Sequence, residues 1–279
     1  MIGEWLTQLT TPCPEPYRAM GYLKELIAIK YRHQRCQTVW APHLTNCQNL
    51  ITTAADNCET KRRAVVLGSG LLLDIPIAHL AHTFETVVLI DICHLRETKT
   101  RVRKFPNVHL VNGDISGAVQ PLKRWLSGNR KDPLPTPDID RTYLNEADYV
   151  ISSNLLAQLP LMPVVHLQQQ TPTISPNALN DFARSIIDHH LSLLQSLGSP
   201  VTLISETLRL ITEQDRPVSK IDPLLGAPLN YTGEEWWWDI APIPEFRPDA
   251  DIKLHIRGIS NLSAATPARY CRNTNEGDG

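Results

Sequence analysis

The chain has 279 residues, a net charge of −2 and six cysteines, with 42% hydrophobic and 20% charged residues. That is enough apolar material for a core and not the composition of a disordered chain. The near-balanced charge gives no global pull towards nucleic acid or anionic lipid. Pro outnumbers Gly, 22 to 13, so each glycine carries more information than usual.

No apolar run approaches the roughly 18 residues that span a bilayer. Residues 1–16 lack a basic start followed by an apolar stretch, so no signal peptide is expected there. None of Cys13, Cys36, Cys47, Cys58, Cys93 and Cys271 forms a CxxC pair. They read as reduced thiols packed in helices or strands, and the expected location is the cytoplasm.

Residues 1–60 read as a helical N-terminal cap. Leu23, Leu26, Ile27 and Ile29 recur at helical spacing over 22–39. Pro42 is expected to break that helix and open a second one, with Leu44, Cys47, Leu50, Ile51 and Ala54 on one face. The pattern changes after Lys61-Arg62-Arg63. Residues 64–67 form a continuous apolar run ending at Gly68, as in a strand buried on both faces. Asp74 is placed to cap a helix running to about Thr83.

A second buried strand over 87–90 ends at Asp91, and an exposed helix follows over 94–104. A third strand, 108–111, ends at Asn112-Gly113-Asp114, and a helix follows from Ser116 to about Trp125. Two Pro-containing insertions are expected at about 127–146 and 160–177. Between them a fourth strand, 147–151, ends at Ser152-Ser153-Asn154. A long amphipathic helix over 177–197 stops at Gly198, and a fifth strand covers 201–204. Two late strands, 236–240 and 252–259, flank a turn holding Pro242, Pro244 and Pro248.

Alternating strands and helices predict an α/β fold: a doubly wound, mostly parallel, seven-stranded sheet over 61–279 with a terminal antiparallel hairpin. Ligands bind such sheets at the carboxyl ends of the strands, where strand order reverses. The informative residues gather there. Gly68 and Gly70 flank Ser69 and let a ligand approach backbone. Asp91 stands about 20 residues on, where a carboxylate can accept from ribose hydroxyls. Asp114 can accept from a purine amine, and Gly113 beside it leaves room for a flat ring.

This ordered set, from Arg-Ala-Val-Val-Leu-Gly-Ser-Gly through Val-Val-Leu-Ile-Asp and Asn-Gly-Asp to Ile-Ser-Ser-Asn-Leu-Leu, resembles class I S-adenosylmethionine-dependent methyltransferases, which have a Rossmann-like fold. The resemblance covers roughly residues 62–206. It implies that S-adenosyl-L-methionine is the cofactor. Gly68, Ser69 and Gly70 would flank its methionine part, Asp91 its ribose, Gly113 and Asp114 its adenine, with Asn154 as a cofactor or acceptor contact. Val66 stands where members often carry an acid, and Leu72 where a third glycine is common. The implied reaction is methyl transfer to a small-molecule acceptor, with no catalytic residue identified and no metal.

The alternatives are a non-catalytic binding module on the same fold and an NAD(P)-dependent oxidoreductase. The latter would want a glycine at position 73, which is Leu73. Neither a P-loop nor a GxSxG elbow is present. Each site residue also has a purely structural reading: a tight turn for 68–70, and helix caps for Asp91, Asp114 and Asn154.

On the acceptor side, Asn154-Leu155-Leu156-Ala157 differs from the Asn/Asp-Pro-Pro-aromatic motif of methyltransferases that act on base or amide nitrogens. Glu206 can face an acceptor or solvent. Trp236 and Trp238 share one strand face and Trp237 takes the other. Trp40 and His43 are candidates for a lid. His189 and His190 read as helix-surface or packed residues. The basic run Arg96, Lys99, Arg101, Arg103 and Lys104 reads as a solvated helix face, so no strong nucleic-acid signal is seen.

Overall fold

The computed structural model describes residues 7, 8, 11–214 and 216–265. Cys271, counted above among the reduced thiols, and much of residues 1–16 lie outside them.

After helical residues at 7 and 8 come α1 (Tyr17–Met20) and α2 (Tyr22–Asp56). The sheet strands are β1 (Arg63–Leu67), β2 (Thr86–Asp91), β3 (Val108–Asn112), β4 (Tyr149–Ser153), β5 (Val201–Glu213), β6 (Arg216–Ile221), β7 (Glu234–Ala241) and β8 (Ala250–Ile259). The remaining α-helices are α3 (Ile77–Thr83), α4 (Arg96–Val102), α5 (Val119–Ser127), α6 (Leu161–Gln170) and α7 (Pro176–Gln195).

The strand order is β3-β2-β1-β4-β5-β8-β7, with β6 paired to β5 outside that path. β1 to β5 are mutually parallel, and β6, β7 and β8 run antiparallel to their neighbours. The sheet thus has eight strands rather than seven. β5 is longer than its apolar start suggested. Beyond Glu206 it leaves the core, and its half-exposed continuation pairs with the polar strand β6. A half-exposed ribbon has no continuous apolar run to reveal it.

Strand alternation divides the interior in two. Val65 and Leu67 of β1 pack on one face with Leu122 of α5 and Ile186 and Leu194 of α7. Ala64 and Val66 pack on the other with Cys47 and Ile51 of α2 and Leu80 of α3. Helices on both faces make the sheet doubly wound. Strand order reverses between β1 and β4, so a crevice opens at their carboxyl ends.

The expected break at Pro42 is corrected. α2 continues through Pro42 as a 35-residue helix and departs from helical geometry at Cys36 instead (φ −106°, ψ 16°). A proline inside a helix removes one hydrogen bond and crowds the carbonyl four residues back, here that of Thr38, whereas the kink at Cys36 lies a further two residues away. Trp40, His43, Cys47 and Ile51 are all buried and hold the helix together past the proline. The 160–177 stretch, expected as loop or short helix, contains α6, and β4 begins two residues later than expected.

Candidate functional site

β1 ends in a turn that needs glycine. Gly68 has φ +71°, and a Cβ there would meet Leu155 Cδ1 at 2.7 Å. Gly70 has φ +50°, and a Cβ there would meet nothing within 4 Å, so its free side is open space. The Gly68 and Ser69 amides donate to the Ile90 carbonyl at 2.9 and 3.1 Å, which ties the turn to β2. Ser69 is buried beneath the turn.

Asp91 closes β2. Its Oδ2 accepts from the Gly70 amide at 2.6 Å and its Oδ1 from the Ile92 amide at 2.7 Å. A carboxylate offers about four lone-pair sites, and with the Cys93 amide also bonding to it the carboxylate retains capacity for a ligand. Burial pushes this carboxyl above its usual range, against the lowering effect of those amides. After β3, the Gly113 amide donates to the Asp91 carbonyl at 2.9 Å. Asp114 Oδ1 accepts from the Ser116 hydroxyl and amide at 2.6 and 3.0 Å, and its Oδ2 accepts from the Val119 amide at 3.0 Å. Asp114 therefore organises the turn that leads into α5 without being its N-cap, which is Ala118, while also bordering the cavity.

One cavity at the switch point is lined by six of the seven predicted residues: Gly68, Gly70, Asp91, Gly113, Asp114 and Asn154. Ser69 is not in its lining. Its roof is the start of α2, where Tyr22, Glu25, Leu26 and Ile29 follow one helix face. Leu155, Leu161 and Met162 close the apolar side. The α2 wall was missed from sequence, although its period-3.6 spacing was visible.

The second missed residue is Asp74. It does not cap α3, which has no side-chain cap. Instead its Oδ2 accepts from the Ser153 hydroxyl at 2.6 Å and from Asn154 Nδ2 at 2.8 Å, across the β1–β4 crevice. Burial raises this carboxyl too. Asn154 holds φ +52°, and its amide also reaches His43 Nε2 at 3.2 Å. Trp236 Nε1 donates to His43 Nδ1 at 3.0 Å, and Trp238 stacks on the same ring with centroids 3.9 Å apart. Burial lowers His43 to about 3.

Trp40 and His43 are therefore no lid. They do not line the cavity, and are buried under β7 as packing for Trp236 and Trp238. Trp237 points the other way and is exposed, as alternation required. His190 is buried and pairs with Ser152 at 3.0 Å, lowered to about 3 by burial. The basic run lies on exposed faces of α4 and the turn after it, with Arg101 donating to the Leu72 carbonyl at 2.8 Å.

Among the described residues, no group of acidic, His and Cys side chains is placed to hold a metal. No helix there is long and apolar enough to cross a membrane.

No family model matches the chain, and no curated protein matches it. Solved structures similar to it include DhpI in complex with S-adenosylhomocysteine, at 12% identity, covering 88% of this chain and 96% of that one, TM-score 0.35. Another is the N-methyltransferase NodS from Bradyrhizobium japonicum with S-adenosylhomocysteine, at 11% identity, covering 80% and 87%, TM-score 0.36. A third is the 23S rRNA methyltransferase ErmE, at 11% identity, covering 77% and 70%, TM-score 0.30.

Proposed function

We propose that the chain is an S-adenosylmethionine-dependent methyltransferase acting on a small-molecule acceptor. The observation that carries this reading is the convergence of Gly68, Gly70, Asp91, Gly113, Asp114 and Asn154 on one cavity at the switch point. The open space beside Gly70 and the unused lone pairs of Asp91 fit a nucleoside with a ribose diol. The bound cofactor supplies an electrophilic methyl group on a sulfonium sulfur.

In this reading Gly68 and Gly70 let the cofactor's amino-acid end lie against backbone. Asp91 fixes the ribose through hydrogen bonds, and Asp114 presents an acceptor to the adenine amine beside Gly113. Leu155, Leu161 and Met162 exclude water from one side. Asn154, locked by Asp74, marks the border between cofactor and acceptor. In this reading the arm of α2 before Cys36 caps the domain expected over 61–279, the rest of α2 packs into its core, and the protein works in the cytoplasm.

Titration calorimetry with S-adenosylmethionine and S-adenosylhomocysteine tests the cofactor assignment. Saturable heat with both supports it, and no heat with either removes it. Transfer of labelled methyl groups in the presence of a small-molecule extract distinguishes an enzyme from a binding module on the same fold.

A further inference from the structure

A second, much smaller cavity adjoins the first. It measures about 10 Å³, close to the least that holds one water-sized group. Asn154 and Gln158 line both cavities, so the two are neighbours across those side chains. The far wall of the small one comes from Glu206 of β5 and Trp238 of β7, which have no part in the cofactor assignment.

Three of its lining residues carry a buried polar atom without a partner: Asn154 Oδ1, Glu206 Oε2 and Trp238 Nε1. Glu206 and Trp238 are each 7% exposed. All three side chains are held in place by other contacts. Glu206 Oε1 accepts from Arg209 at 2.8 Å, leaving Oε2 over. Asn154 is fixed through its Nδ2 donation to Asp74. Trp238 is clamped between His43 and Trp40, with centroids 3.9 and 5.0 Å away. Leaving a buried polar group unpaired is costly, and the residues that carry these two acceptors and one donor line a single small space.

The complementary group must give hydrogen to an oxygen and offer a lone pair to the indole N–H. A neutral amine or a hydroxyl does both. An ammonium has no lone pair for Trp238, and a carboxylate has no hydrogen for Asn154 or Glu206. We propose that this cavity is an acceptor subsite that takes one neutral hydroxyl or amino group of the small-molecule substrate beside the cofactor cavity. Its role as an acceptor site rests on the methyltransferase reading, whereas its capacity to bind such a group does not.

The test uses the full chain labelled with ¹⁵N-tryptophan. The Trp238 Nε1–H resonance, identified by its loss in Trp238→Phe, is followed during titration with methanol, methylamine and acetate. Methanol or methylamine should shift it saturably, and acetate should not. Apparent affinity for methylamine rising about tenfold per pH unit between pH 7 and 9 marks the neutral amine as preferred. A pH-independent methanol response with no methylamine response marks the hydroxyl.

Glu206→Leu should abolish the response while the other indole signals stay in place, and Glu206→Gln, which keeps an acceptor oxygen, should retain it. No saturable shift with methanol or methylamine, or an equal shift with acetate, overturns the subsite. Calorimetry with S-adenosylhomocysteine on the same sample separates the two readings. Cofactor binding with a silent Trp238 removes the subsite alone. A responding Trp238 without cofactor binding supports the subsite and removes the methyltransferase reading.

Discussion

The Gly70 amide donates to Asp91 Oδ2 over 2.6 Å, so the turn after β1 and the tip of β2 form one hydrogen-bonded unit. The carboxylate that would hold a ribose is also the one that shapes the glycine turn. Asp91→Ala is therefore expected to weaken S-adenosylhomocysteine binding and lower stability together, each by about 1–3 kcal/mol. Calorimetric titration and thermal melting on one preparation measure both. Asp91→Asn keeps one oxygen acceptor and should fall between wild type and Ala. Unchanged affinity in Asp91→Ala would take Asp91 out of the cofactor site.

Gly68 makes a separable prediction. Gly68→Ala incurs the left-handed backbone cost of about 1–2 kcal/mol as well as a clash with Leu155 Cδ1. Adding Leu155→Ala should recover the steric part and leave the backbone part. A double-mutant cycle by chemical denaturation reads the difference. Strict additivity of the two substitutions would show that the contact carries no energy.

Asp74 links the two halves of the crevice. Asp74→Ala leaves the Ser153 hydroxyl and the Asn154 amide without their shared acceptor. The expected loss is about 1–3 kcal/mol, chiefly from the Ser153 hydroxyl left unpaired, since the Asn154 amide keeps other neighbours, and Asp74→Asn, which retains an oxygen, should lose less. A melting temperature unchanged in Asp74→Ala would refute this.

His43 and His190 are buried and lowered to about 3, against about 6.5 in an unfolded chain. Below 6.5 the unfolded state binds protons that the folded state refuses, so their contribution is complete above pH 6.5 and declines as pH falls towards 3. The raised carboxyls of Asp74, Asp91 and Asp114 act with the opposite sign. The histidine share is accordingly read as a difference. His190→Gln should flatten the fall in unfolding free energy between pH 6.5 and 4 by up to about one proton. An identical slope in wild type and variant would rule it out.

The parallel core was legible because strands buried on both faces write continuous apolar runs, as residues 64–67 and 87–90 do. The strand-end residues followed, since a parallel sheet brings its carboxyl ends to one edge. β6 and the outer half of β5 were not legible, because a half-exposed ribbon carries mixed polarity. Asp74 misled for a different reason. An Asp before a helix is the usual cap, and only the tertiary placement of Ser153 and Asn154 across the crevice gives it another role. A lid was likewise expected at Trp40 and His43, whereas residues before Cys36 cover the cavity, since helix periodicity fixes a face but not which neighbour covers it.

The bend at Cys36 gives the large cavity walls of two kinds. Its floor is made of strand ends and the turns that follow them, fixed by the sheet itself. Its roof is the arm of α2 before Cys36, which carries Tyr22, Glu25, Leu26 and Ile29, while the segment after Cys36 is anchored in the core beneath β7. The anchor belongs to one of the two main core clusters, and the arm packs largely in a smaller one with Ile92, Cys93 and Leu95. Roof and floor therefore share a seam at Ile92, Cys93 and Leu95, directly after the carboxylate that ends β2, so the roof braces the tip of that strand.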